Sequence, residues 1–247
     1  MKDTINIVTS FNPKGWETYA KKMIDSAIKY MADDLHLTAY YHDFTDEQIK
    51  EFPKTDKITF RNLNEVDEMI TYREEMKLHD GTEGGKMPYN WRLDAIKWCH
   101  KVYALTDFSF KLVEKSVQVG WVVWLDADII LRKPVNKQDL FGIIPLGSEL
   151  VHLGRKDVDY SETSFMAFNL NTIPPLDLLG DMRGLYNSHE VLSYREWHDG
   201  FIFERLFNIY GAHGLKKHSL TPEVRGLDAF NNSPLADYFE HFKSNRK

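Results

Sequence analysis

The sequence is poor in features that staple, anchor or repeat a chain. Cys99 is its one cysteine, so no intrachain disulfide can form, and a reducing compartment fits. No apolar run approaches the roughly 20 residues of a membrane-spanning helix, and the opening "MKDTINIVTS" holds no apolar core of signal-peptide length. We therefore expect a cytoplasmic protein without integral membrane association. Positive charge is outnumbered: 31 Lys and Arg face 37 Asp and Glu, a net charge of -6. That balance excludes a surface built as a whole to grip nucleic acid or anionic lipid. It leaves room only for local basic patches, such as "GRK" at Gly154 to Lys156 or the C-terminal "KSNRK". The histidines are scattered, with no HExxH or comparable zinc spacing. No repeat, low-complexity segment or linker interrupts the chain, so its 247 residues are read as one domain.

What is present reads as an α/β protein. Residues 5–10 form a short apolar strand ending in the turn-like "FNPKG". Residues 15–31 follow with Trp16, Tyr19, Ala20, Met23, Ala27 and Tyr30 at helical spacing, and residues 35–41 make a second strand. Strand, helix, strand is the start of a right-handed βαβ unit. Residues 58–60 suggest a third strand, and Asn64 opens a helix to about residue 79 with Asp67 in a capping-box position. "HDGTEGGKMPY" is a loop. Residues 90–105 are strongly helical, with Ala95, Trp98, Cys99, Val102 and Leu105 on one face and Lys97 and Lys101 on another. Strands are expected at 121–125, 149–153 and 164–170. Helices are expected at "NKQDLF", 176–186 and 199–210, before a polar, turn-rich tail.

Within "VVWLDADIIL", Val122 to Leu131, two aspartates interrupt a run apolar enough to be a buried strand. Residues i and i+2 of an extended segment share a face, so Asp126 and Asp128 would present both carboxylates to one spot. Ligands bind open α/β sheets at the carboxyl ends of parallel strands. Two carboxylates placed together repel, and burial raises the cost by several kcal/mol. A divalent cation preferring hard oxygen, Mg²⁺ or Mn²⁺, resolves the conflict. Aspartates that cap the following turn are the alternative.

The motif in its context resembles the DxD signature of GT-A glycosyltransferases, and the likeness extends over most of the chain. "INIVTSFN" is similar to the first nucleotide-binding strand of that family, "NWRLDAIKWCHKVYAL" to the helix before the metal motif, and "SETSFMAFNL" to a strand bearing a "GF-x-x-FN" element. "WHDGFIFERL" is similar to the "DG" start of a helix, and "HFKSNRK" to a closing His-x-x-Gly-x-(Arg/Lys) segment. Ser164 and Ser244 stand where the family pattern has glycine. The resemblance implies one GT-A (Rossmann-like) domain with a central, mostly parallel mixed sheet flanked by helices. Residues 1–130 would be the nucleotide-binding half, and 131–247 the acceptor half with its closing tail.

It also implies roles. Asp128 binds the Mn²⁺ or Mg²⁺ directly. Asp126 binds it through water or contacts the ribose, and His241 is the third protein ligand. Thr9, Ser10 and Phe11 meet base and ribose. Arg92 and Lys101 hold phosphate or sugar oxygens, Asp94 accepts from sugar hydroxyls, and Lys243, Arg246 and Lys247 neutralise the diphosphate. Asp199 is the candidate catalytic carboxylate, with Glu162 a second candidate beside donor or acceptor. The implied reaction moves a hexosyl or pentosyl group from a nucleoside-diphosphate sugar, UDP-sugar favoured, to a hydroxyl. Compact relatives occur in bacteria and bacteriophages, so the acceptor is a glycan or a modified phage DNA base, although the net charge lends DNA no support. Two alternatives stay open. A haloacid dehalogenase-type phosphotransferase also uses DxD, but near its N-terminus and with Thr or Val where this chain has Ile130. A sugar-nucleotide-binding protein without catalysis is the other.

Overall fold

The computed structural model describes residues 4–115, 119–226 and 228–242. The expected tail cations Lys243, Arg246 and Lys247 lie outside the described residues. Strand β1 (Ile5–Phe11) leads through one helical turn, α1 (Pro13–Gly15), and a π-helical turn into α2 (Lys21–Tyr30). Then come β2 (His36–Tyr41), α3 (Asp46–Ile49), β3 (Ile58–Asn62), α4 (Asp67–Glu75) and the long α5 (Ala95–Lys115). The second half contains β4 (Trp121–Leu125), β5 (Ile129–Leu131), α6 (Lys137–Ile143), β6 (Leu150–Leu153) and β7 (Glu162–Asn169). It ends with α7 (Ile173–Asn187), α8 (Asp199–Ala212), β8 (Lys217–Ser219) and β9 (Phe239–His241).

Seven strands form one sheet in the order β3-β2-β1-β4-β7-β6-β8, and β5 pairs with β9 in a separate ribbon. β3, β2, β1 and β4 run parallel, whereas β7 is antiparallel to both its neighbours. The fold class is the expected one, a mostly parallel mixed sheet between helices. Its strands are apolar on both sides because both faces are covered. Trp121, Val123 and Leu125 of β4 pack with Ile5, Ile7, Phe165 and Ala167 against Met23, Ile24 and Ala27 of α2. Val122 and Trp124 point the other way, packing with Met166 and Phe168 against α5, α7 and α8 through Val102, Tyr103, Leu178 and Phe203. This period of two is the physical reason "WVVWL" shows no polar position.

The helices depart from their sequence outlines at the ends. α4 starts at Asp67, because Asn62 and a 3-10 turn at Leu63–Glu65 take up the residues before it. Residues Trp91–Leu93 also form a 3-10 turn, and α5 begins only after Asp94, whose Oδ1 accepts from the Lys97 amide at 2.8 Å. α5 then runs ten residues past the expected end, through buried Thr106, Asp107, Phe108 and Ser109. Pro174 and Pro175 lie inside the first turn of α7, where a missing N–H costs nothing. The tail, expected to be turns, contributes strand β9.

Gly120 enters β4 with φ +78°, and a methyl group on its Cα would lie 2.3 Å from the Thr4 carbonyl oxygen. Gly142 sits in α6 with nothing within 4 Å of such a methyl. Opposite signs follow. Gly120→Ala should lower unfolding stability by at least about 2 kcal/mol. Gly142→Ala should raise it by about 0.5–1 kcal/mol. Urea denaturation of the two variants beside the parent protein measures both.

Candidate functional site

The carboxyl ends of β1, β2 and β4 open onto a cleft of about 510 Å³. Ser10, Phe11 and Asn12 line it from the end of β1, and His42 and Asp43 from the end of β2. Lys97, His100 and Lys101 of α5 complete the wall with Asp126 and Asp128. This is the position at which parallel sheets bind ligands.

Asp126 and Asp128 converge by a different geometry from the one the sequence suggests. The segment is a turn, not an extended strand: the Ile129 amide donates to Asp126 O at 3.1 Å, and the Asp126 amide donates to Ser164 O at 2.9 Å. The chain thus reverses from β4 into β5. β5 in turn carries β9, with Ile129 opposite His241 and the Phe242 amide donating to Asp128 O at 3.0 Å. Ligand atoms of Asp126, Asp128 and His241 all lie within 4.8 Å of one another. His241 is buried and packs on Phe230. Its Nε2 is 3.3 Å from Asp128 Oδ1 and its Nδ1 is 3.2 Å from Glu162 Oε1. The Ser164 hydroxyl donates to that same Glu162 oxygen at 3.1 Å.

Lys101 stands beside this group. Its Nζ lies 2.7 Å from Asp126 Oδ1 and 2.5 Å from Asp199 Oδ2, and it donates to Thr163 O at 3.0 Å. The Trp124 indole N–H donates to Asp126 Oδ1 at 2.8 Å, and the Thr163 hydroxyl to Asp199 Oδ2 at 2.6 Å. Burial alone would push the ammonium pKa down. The two carboxylates outweigh it and hold Lys101 above its ordinary value. Burial likewise pushes Asp199 up, but Lys101, then His198 and the Thr163 hydroxyl, hold its carboxyl at about 2. Asp126, Asp128, Glu162 and Asp199 gather around the Lys101 ammonium and the His241 imidazole, with His198 beside Asp199. Carboxylate oxygens with an imidazole among them are a donor set that fits Mn²⁺ or Mg²⁺.

The other expected residues divide. Ser10 and Phe11 line the cleft, while Thr9 is buried without lining it. Asp94 lines it and accepts from Tyr89 Oη at 3.0 Å; burial raises its carboxyl pKa. Arg92 is exposed outside the lining, 3.3 Å from Glu196 and stacked over Trp91. Sequence reasoning passed over His42, Asp43, Arg73 and His100, all in the cleft wall. Asp43 receives two bonds from Arg73, at 2.9 and 3.0 Å, and its carboxyl is held far below the ordinary value first by His42 and then by Arg73. The signal was "YYHDF", polar residues at the end of a parallel strand. The His42 and His100 rings stack at 3.7 Å and 11°. With Asp43 they bring ligand atoms within 4.8 Å too. Stacked imidazoles, however, direct their in-plane lone pairs side by side rather than at one point, and Arg73 already holds the carboxylate.

Neither a protein-family model nor a curated protein sequence matches the chain. Among solved structures it is similar to mouse xyloside xylosyltransferase 1 in its apo form, with a TM-score of 0.51 over 88% of this chain and 85% of that one. The chain has the GT-A fold. Sequence identity is 12%, so the likeness carries the fold and no residue role. Within the GT-A fold of this chain, no described helix is long and apolar enough to cross a membrane.

Lys101→Met would leave Asp126 and Asp199 buried with their cation gone. Breaking a buried pair from one side costs about 3–5 kcal/mol, and that loss is expected at pH 7. The pH dependence should also invert. In the parent protein Asp199 has a lowered pKa, so it contributes stability above the unfolded carboxyl value of about 4. That contribution is lost as pH falls towards about 2. In the variant only His198 and the Thr163 hydroxyl still oppose burial, so the carboxyl rises, folding takes up a proton and stability increases from pH 7 to pH 5. Urea titrations at the two pH values decide it; equal stability at both would reject the assignment.

Proposed function

We propose that the protein is a metal-dependent glycosyltransferase that moves a sugar from a nucleoside-diphosphate sugar to an acceptor hydroxyl. The observation carrying this reading is the convergence of Asp126, Asp128 and His241 within 4.8 Å at the rim of the sheet-end cleft of a GT-A fold. Asp128 and His241 would hold Mn²⁺ or Mg²⁺ with Asp126. Bound there, the ion supplies charge that offsets the diphosphate leaving as the sugar–phosphate bond breaks.

The chain's own residues do the rest. Ser10 and Phe11 at the end of β1, with His42 and His100 beside them, form the base and ribose side of the cleft. Lys101 places a fixed positive charge next to Asp126, facing the phosphates. Asp199 is an anion throughout the neutral range and its Oδ2 already receives Lys101 and Thr163. A carboxyl with a pKa near 2 is a weak proton acceptor. We therefore assign Asp199 to positioning Lys101 rather than to deprotonating the acceptor. The phosphotransferase alternative is disfavoured because its DxD lies near the N-terminus, whereas Asp126 and Asp128 lie at mid-chain after the fourth strand of the sheet.

Two measurements test the reading. A thermal-shift screen with Mn²⁺ across UDP-, GDP-, TDP- and CMP-sugars should single out one donor class, UDP-sugars first. The structural neighbour is named for xylosyl transfer, so a pentosyl donor belongs in the screen. Donor at 100 times its Kd adds about 2.7 kcal/mol, or about 5–10 °C in Tm for a chain of this size. Asp128→Asn should lower Mn²⁺-dependent release of nucleoside diphosphate at least about 100-fold, close to 2.7 kcal/mol of barrier, with an unchanged far-UV spectrum. Activity retained in that variant would reject the metal site, and saturable donor binding without turnover in the parent would favour a non-catalytic binder.

A further inference from the structure

Resting on the metal reading above, we propose that Glu162 is a positioning residue that orients His241 for metal ligation, and that it does not touch the reacting sugar. An imidazole can ligate a cation with one ring nitrogen only if the other carries the proton. A carboxylate bonded to the second nitrogen fixes that tautomer, aims the ring and makes the ligating nitrogen more basic. The arrangement here has those parts in order. Glu162 Oε1 lies 3.2 Å from His241 Nδ1. Nε2 faces Asp128 Oδ1 at 3.3 Å. Asp128 and Asp126 complete the set of converging ligand atoms.

The supports of Glu162 are themselves fixed. It begins β7, the antiparallel strand beside β4, and its Oε1 accepts from the Ser164 hydroxyl at 3.1 Å. Glu162 is 7% exposed and His241 3%, so water competes little for either ring nitrogen. The ring cannot turn freely, because β9 pairs with β5 at His241 and Phe230 packs on the imidazole at 5.3 Å. With Nδ1–H donated to Glu162, the Nε2 lone pair points to the two aspartates. A glutamine at 162 keeps the shape but can offer Nδ1 either its oxygen or its amide nitrogen, so the tautomer is no longer dictated.

The test compares the parent protein, Glu162→Gln, Glu162→Asp and His241→Ala, using Mn²⁺ alone as the probe. Binding is followed by the EPR signal of free Mn²⁺, imidazole ligation by ¹⁴N modulation in pulsed EPR, and the His241 tautomer by ¹⁵N NMR of the metal-free protein. We expect Glu162→Gln to weaken Mn²⁺ about 10–100-fold, to reduce the ¹⁴N modulation and to lose the single Nδ1–H tautomer. Glu162→Asp, which keeps the carboxylate and guards against a folding defect in the glutamine variant, should fall between it and the parent. Mn²⁺ affinity within twofold of the parent in Glu162→Gln, alongside a clear loss in His241→Ala, would overturn the positioning role and leave the metal site standing. Unchanged affinity in both variants would overturn the metal reading as well.

Discussion

The Lys101 ammonium, buried between Asp126 and Asp199, is the interaction on which the rest of the site depends. Each of its carboxylates comes from a different part of the chain, one from the turn after β4 and the other from the first residue of α8. Desolvating any one of these ions alone would cost several kcal/mol. They are tolerable together because Trp124 and Thr163 add donors at 2.8 and 2.6 Å, which leaves the group hydrogen-bonded as well as paired. The lysine thereby locks three elements, α5, the DxD turn and α8, around one charge. The Asp128, Glu162 and His241 side holds the carboxylates that the proposed metal reading assigns to a cation.

Sheet direction explains how so many carboxylates meet. β1, β2 and β4 all end at the cleft. β7 is antiparallel to β4, so its beginning, not its end, lies beside the DxD turn. Glu162, Thr163 and Ser164 are therefore delivered to the point that Asp126 reaches from the opposite direction. A parallel strand in that place would have carried those residues to the far end of the sheet. After the DxD turn the chain continues as β5, which pairs outside the main sheet with β9.

Some of this was legible in the residues. Asp126 and Asp128 stand out because charge inside an apolar strand has few structural uses, although the carboxylates converge through a turn rather than by strand alternation. The sheet was legible where both faces are covered, since β4 is a continuous apolar run and β1 and β2 are rich in apolar and β-forming residues. β5, β8 and β9 were not, being three residues each and held by partners distant in sequence. Lys101 was misread in character. Helical spacing groups it with Lys97 on a polar face, yet Lys97 is exposed and Lys101 is 8% exposed. Only the distant Asp126 and Asp199 make that burial tolerable, and a helical wheel contains neither. His42, Asp43, Arg73 and His100 were missed for a similar reason: three separate segments supply them, and Arg73 meets Asp43 across thirty positions of sequence.

The short ribbon of β5 and β9 places the most conditional part of the site on its least supported element. A two-stranded ribbon of this length is marginal by itself. Its stability must come from side chains: Ile129, Leu131 and Phe239 in the apolar layer, and His241 between Asp128 and Glu162. On the proposed metal reading, the polar half of that support is shared with the cation. Ion binding would then stabilise the pairing of β9 by mass action. The main sheet is closed by two extensive apolar layers as well as by buried polar contacts such as Tyr40 to Asp107. The GT-A scaffold thus brings Asp126 and Lys101 from β4's end and α5, and His241, the third proposed ligand, from the separate two-stranded ribbon.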